Sequence, residues 1–271
     1  MTLKTRNVFF IVLFACFFAA LITNFALLFY NMYSGSLIEP DTFPAAHISG
    51  FYATRYSFAA VILSLFLFLL YATLGSIYLY IQFEKTQSLE VIFFAVFLIG
   101  CAIEAVRLYV PFFNLWHSLS TLLIFTGRAV LFGRTVAPAA LLFNAVFSGT
   151  EQRQNIERNL IVLLVISITM ATLIPLNTAI VLPNFCIHWG ASKTILTMRM
   201  LIMAAAVLSV FINMRTMGTK EKAPYGFLSL TVGYAICCIA NSFAAVIIGN
   251  ILLYAGTAIY LGSLHRKYLW Q

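Results

Sequence analysis

The sequence predicts an all-α fold: a polytopic integral membrane bundle of eight transmembrane helices, one plus seven, in a single domain over residues 1–271. Three observations predict it. Hydrophobic residues make up 62% of the chain and charged residues 9%, with mean hydropathy +0.98, whereas soluble domains carry about 25% charged residues. The apolar residues fall in unbroken runs of roughly twenty, the length that crosses a bilayer core. Lys and Arg residues gather in alternate connections, as they do where basic loops stay in the cytoplasm.

The segments follow in order. Residues 8–30 form the first, after Lys4 and Arg6. Its start resembles a signal peptide, but the apolar run reaches Tyr30, too long for a signal-peptide core, so an uncleaved helix is expected. A polar stretch with the breakers Gly35, Pro40, Pro44 and Gly50 leads to the second segment, residues 56–83. The third, 91–110, is stopped by Pro111, and the fourth, 118–147, runs past Pro138. The fifth is 160–182, kinked at Pro175, and the sixth is 194–213. Residues 225–264 then carry no charge at all. As one helix they would be about 60 Å long, about twice the bilayer core, so the chain must fold back. Asn241-Ser242 is the preferred turn over Gly249-Asn250, and it yields segments 225–240 and 243–264. On the last of these, Gly249 and Gly256 share a face suited to close helix packing.

The charge distribution sets the topology. With the N-terminus inside, the inner connections hold Lys4, Arg6, Lys85, Arg153, Arg158, Arg215, Lys220, Lys222, Arg266 and Lys267, and the outer ones only Arg55 and Lys193. Eight crossings return the basic tail His265-Arg266-Lys267 to the inside, whereas seven would leave it outside. Both termini are therefore expected in the cytoplasm of a multi-pass protein of the plasma (inner) membrane. Trp116 and Trp189 fall at the expected outer boundary and Trp270 at the inner one, where aromatic belts lie. The formal net charge of +8 reflects this topology, so the partner is the lipid bilayer and no nucleic acid is expected. Of the five cysteines only Cys186 falls in a connection, which argues against a disulfide framework.

The candidate site comprises Glu104, Arg107, Arg128 and Arg134, four ionisable residues inside apolar segments. At membrane depth such groups need a partner, a cavity or a function. Arg107 shares a helical face with Glu104, three residues away. If the chain reverses near Asn114, Arg128 lies about one turn, roughly 6 Å, deeper than Glu104, a distance a guanidinium side chain spans. Glu104 is thus expected between Arg107 and Arg128, and Arg134 near the inner rim, where it snorkels. Arg199 lies near the outer end of the sixth segment and is expected to snorkel too. One carboxylate cannot neutralise three arginines, which leaves two readings of the cluster: a structural ion pair, or a site for an ion, proton or anionic ligand.

Other chemistries are excluded or unsupported. His47, His117, His188, Cys186, Glu39 and Asp41 are metal-competent groups on the expected outer face, but their spacing matches no metal motif, and no metal site is expected. No H-E-x-x-H, G-x-S-x-G or phosphate-binding loop is present, no catalytic residue is assigned and no cofactor is expected. A membrane enzyme acting on lipid therefore lacks a catalytic constellation.

The second to eighth segments, with Ile103-Glu104-Ala105-Val106-Arg107-Leu108 followed by Pro111, resemble the seven-helix membrane module of bacterial "diverse intracellular signalling" sensors. That resemblance implies an outward N-terminal end, an inward C-terminal end and a receptor-like signalling role. The chain reaches Gln271 without a kinase, cyclase or coiled-coil output region, so signalling is expected to pass to a separate cytoplasmic protein. The loops at residues 148–159 and 214–224 are the expected contact surfaces. The alternative is a transporter or channel for an ion or small anionic solute, built around Glu104, Arg107 and Arg128.

Overall fold

A computed structural model describes residues 3–40, 54–84, 89–116, 120–147, 156–216 and 222–269. Among the described residues the secondary structure is helical apart from one small β-hairpin. Its helices are α1 (Leu3–Ser34), α2 (Phe58–Phe83), α3 (Leu89–Ile103), α4 (Tyr109–Phe112), α5 (Thr121–Phe147), α6 (Ile156–Leu173), α7 (Ser192–Thr216), α8 (Ala223–Ile239) and α9 (Phe243–Leu269). Strands β1 (Leu176–Val181) and β2 (Ile187–Trp189) separate α6 from α7. Among the described residues seven helical segments are long and apolar enough to cross a membrane. The remaining one, α8, has 17 residues, about 26 Å, near the lower limit for a span.

Local chemistry explains where the helices end. Ser57 caps α2 by accepting from the Ala60 amide at 3.4 Å. Residues Glu104–Leu108 tighten into a 3₁₀ helix between α3 and α4. Pro111 lies four residues after Arg107, lacks an amide hydrogen and crowds the Arg107 carbonyl, so the regular helix cannot run through unaltered. The chain makes one more turn to Phe112 and then leaves the helix at Asn114, whose φ of 50° is the left-handed cap conformation. Pro138, by contrast, is accommodated inside α5.

The fifth segment corrects the expectation. The helix expected over residues 160–182 ends at Leu173, and Pro175 breaks it where a kink was expected. The following residues, Thr178, Ile180 and Val181 among them, have the branched side chains that favour strands. β1 and β2 pair antiparallel, with Leu176 opposite Trp189 and Asn177 opposite His188. The final apolar run breaks between Ile239 and Phe243, where the Ser242 hydroxyl accepts from the Ala245 amide at 3.4 Å. The Asn241 carbonyl accepts from the Ser57 amide at 3.0 Å, which ties this break to the start of α2.

Two pairs of helices approach backbone to backbone. α8 and α9 do so where Gly233 meets Gly249 and Gly226 meets Gly256. A Cβ on Gly233 would stand 2.8 Å from the Gly249 carbonyl oxygen, so no larger residue fits. α3 and α5 cross at Gly100 and Gly133: a Cβ on Gly100 would stand 2.7 Å from that of Ala137 and 3.0 Å from the Gly133 carbonyl oxygen. The main core lies among α2, α3, α5, α8 and α9, with Phe93, Phe94, Phe97, Tyr71, Phe227 and Tyr234 packed inside it. A second core gathers Val61, Leu65, Leu108, Trp116, Phe185 and Ile187 around the hairpin. Trp116 and Trp189 are buried within the protein rather than exposed on its surface, and Trp270 lies outside the described residues.

Candidate functional site

Glu104, Arg107 and Arg134 meet in the interior. The crossing at Gly100 and Gly133 determines this: Glu104 follows one turn after Gly100, and Arg134 is the next residue after Gly133. The 3₁₀ geometry, with three residues per turn, keeps Arg107 directly above Glu104. Glu104 is 0% exposed, Arg107 2%, and Arg134 and Arg199 4% each. All four charges are therefore removed from solvent.

Among the described residues the Glu104 carboxylate has three contacts with arginine and a longer one with the Cys238 thiol at 3.9 Å. Arg134 Nε donates to Oε1 at 2.7 Å and Arg134 Nη2 to Oε2 at 3.2 Å, the two-pronged geometry in which a guanidinium suits a carboxylate. Arg107 Nη2 lies 2.7 Å from Oε2. The remaining guanidinium hydrogens turn to backbone oxygens that the breaks in regular structure leave available. Arg134 Nη2 also donates to the Cys238 carbonyl at 2.8 Å, one residue before α8 ends. Arg107 Nη1 donates to the Asn184 carbonyl at 2.9 Å, at the turn of the hairpin. The Trp189 ring faces the Arg134 guanidinium, 5.3 Å from its carbon, in cation–π contact.

The hairpin covers this centre. Phe185 follows Asn184 with φ 61°, a conformation costly for a bulky side chain. Its ring is held by Phe58 at 5.1 Å and Trp116 at 5.5 Å. Leu182 and Cys186 close the turn: the Leu182 amide donates to the Cys186 carbonyl at 2.8 Å. Burial pushes the Cys186 thiol up, against the pull of the nearby Arg134 and Arg107.

Arg128 lies elsewhere. It donates through Nη1 to the carbonyls of Ala171 at 2.5 Å, Thr172 at 2.8 Å and Ile174 at 2.6 Å. It therefore caps the C-terminal end of α6, where helix carbonyls lack partners and cations are favoured. Arg134 takes the place expected for Arg128, which also corrects its expected place at the inner rim. The point midway between Glu104 and Arg134 is residue 119, not 114. The extra turn α4 and the residues before α5 lengthen the reversal and shift the two segments against each other.

Arg199 on α7 completes the centre, and sequence reasoning assigned it to the boundary. It is buried, acts electrostatically on Glu104, and its Nε has no hydrogen-bond partner among the described residues. The signal was present: α7 carries no acidic residue that could pair with it. His47, His117 and Asp41 lie outside the described residues. His188 lies on β2 and Cys186 in the turn before it. No family model, curated protein or solved structure matches the chain.

Among the described residues two guanidiniums pair with the Glu104 carboxylate and a third, Arg199, is buried without an ion pair, so the interior carries more positive than negative charge, and a buried charge without a counter-charge is expensive.

Proposed function

We propose that the chain is a multi-pass protein of the plasma (inner) membrane that binds a small anionic solute at Glu104, Arg107, Arg134 and Arg199 and carries it across. The observation that carries this reading is the surplus of two positive charges in a buried centre, with Arg199 Nε lacking a hydrogen-bond partner among the described residues. The setting supports it. Carriers place their sites at interrupted helices in the bundle interior. Here three interruptions converge on one carboxylate: the 3₁₀ stretch at Glu104–Leu108, the end of α8 beside Cys238, and the hairpin turn at Asn184. In this proposal α8 spans with the other seven, both termini face the cytoplasm and the hairpin lies on the outer side.

A second reading is favoured by the Arg107–Asn184 contact, which links the charge centre directly to the hairpin. A receptor-like module would use that link to pass an outer anion signal through α7 and α8 to a cytoplasmic signalling protein. Flux decides between the two. The purified chain is reconstituted in liposomes with a panel of labelled inorganic and organic anions. The carrier reading expects uptake of at least one anion, lost in Arg199→Gln. No uptake of any anion by folded protein overturns it, and anion binding without uptake assigns the centre to a receptor.

A further inference from the structure

The buried donors around the centre define the kind of anion it accepts. Three of them lack any hydrogen-bond partner among the described residues: Arg199 Nε, Tyr234 Oη and Trp189 Nε1. Tyr234 is fully buried on α8, and Trp189 is buried at the end of β2. They share one neighbourhood: Tyr234 lies one turn before Cys238, whose thiol approaches Glu104 Oε1 at 3.9 Å, Arg199 lies one turn after Ile195, which packs with Trp189 and Cys186, and Trp189 faces the Arg134 guanidinium. Buried polar groups without partners are rare in folded proteins and mark a missing ligand or a functional role. All three are donors, so what satisfies them is an acceptor, a group rich in oxygen lone pairs.

The charge count restricts the class further. Among the described residues Glu104 is the one carboxylate paired with these arginines, so three guanidiniums leave two positive charges over. A halide or a monocarboxylate would leave one of them uncompensated at low dielectric. A dianion compensates both and supplies several acceptor oxygens. Resting on the anion-binding reading above, we propose that the centre selects small doubly charged anions, a dicarboxylate or a divalent oxyanion. Arg199 and Tyr234 are the residues that set this preference.

The test uses the full chain purified in detergent. Its thermal unfolding is followed in sulfate, succinate, chloride and acetate at matched ionic strength, in the wild type, Arg199→Gln and Tyr234→Phe. Sulfate stabilises many proteins by exclusion from their surfaces, so the quantity read is the wild-type shift minus the Arg199→Gln shift. The wild type should be stabilised by the dianions at concentrations where chloride and acetate have no effect. Arg199→Gln removes one surplus charge and should turn the preference to monoanions. Tyr234→Phe should weaken dianion binding by about tenfold, the worth of one hydrogen bond to a charged group. Response to succinate alone assigns a dicarboxylate, and response to sulfate alone a divalent oxyanion. Equal stabilisation by monoanions and dianions, or the same preference in Arg199→Gln, overturns the proposal. Dianion selectivity without liposome flux retains the proposal and removes the carrier. Monoanion flux without dianion selectivity does the reverse.

Discussion

Glu104→Gln is the perturbation that tests the charge centre most directly. The carboxylate receives Arg134 through two N–H groups and Arg107 through a third contact, at 2.7, 3.2 and 2.7 Å. Glutamine keeps one acceptor oxygen, enough for one Arg134 N–H. Its amide nitrogen then faces the Arg107 guanidinium, donor against donor, and three buried cations are left with no counter-charge. Removing one partner of a buried pair costs about 3–5 kcal/mol. Two pairs share this carboxylate, so the expected loss is at the upper end, about 5 kcal/mol. For a chain of this size that corresponds to a fall in Tm of about 10–20 °C. Tryptophan fluorescence is the suitable probe, because Trp189 faces Arg134 and Trp116 packs on the hairpin. The paired substitution Glu104→Met with Arg134→Met should recover part of the loss, since it restores the original charge surplus and fills the space with apolar side chains. A Glu104→Gln protein that expresses and unfolds like the wild type would refute the pairing.

Three further outcomes are expected. Arg128→Ala should cost about 1–2 kcal/mol by freeing the carbonyls that end α6, and its effect on Tm should add to that of Glu104→Gln, because the two arginines serve separate sites. Gly100→Ala should destabilise by about 1–3 kcal/mol by forcing α3 off α5. It should also reduce the coupling between Glu104 and Arg134 in a double-mutant cycle. Cys186 should resist maleimide labelling in the folded protein at neutral pH, read by peptide mass mapping. Its buried thiol is held above its ordinary pKa, so the reactive thiolate forms only at higher pH, and labelling should rise as pH increases or the chain unfolds.

The long apolar helices were legible because composition and run length report bilayer thickness directly. The fold-back at Asn241-Ser242 was legible for the same reason: 40 uncharged residues are too long for one crossing. Glu104 stood out as an acid in an apolar run, and Arg107 followed from helical spacing. The partner across the helix pair did not. Matching residues on two antiparallel helices requires the length of the reversal, and the single turn Tyr109–Phe112 beyond the 3₁₀ stretch changed it. The hairpin was hidden by its own apolarity. Residues 176–182 read as a continuation of α6 on hydropathy alone, and only Pro175 and the branched side chains after it argue for a strand. Arg199 and Arg134 read as boundary residues in the sequence because an arginine near a helix end can snorkel to water. Here Arg134 turns instead to the Glu104 carboxylate and the Cys238 carbonyl, and Arg199 is buried.

The same irregularities that defeat the sequence reading are what the centre requires. A regular helix satisfies its own carbonyls and has none to offer a guanidinium. Each arginine of the centre with a direct partner also reaches a carbonyl at an interruption: Arg134 at the end of α8 and Arg107 at the hairpin turn. These neutral acceptors solvate the guanidiniums without cancelling their charge, so the positive surplus persists. Replacing the carbonyls by two further carboxylates would have neutralised the cluster and made it a structural lock. A purely structural role therefore explains Glu104 and its two partners, but not the third arginine, which adds charge without adding an ion pair. On the proposal above Arg199 receives a dianion, and its loss should abolish the dianion preference while leaving the Glu104–Arg134 coupling energy intact.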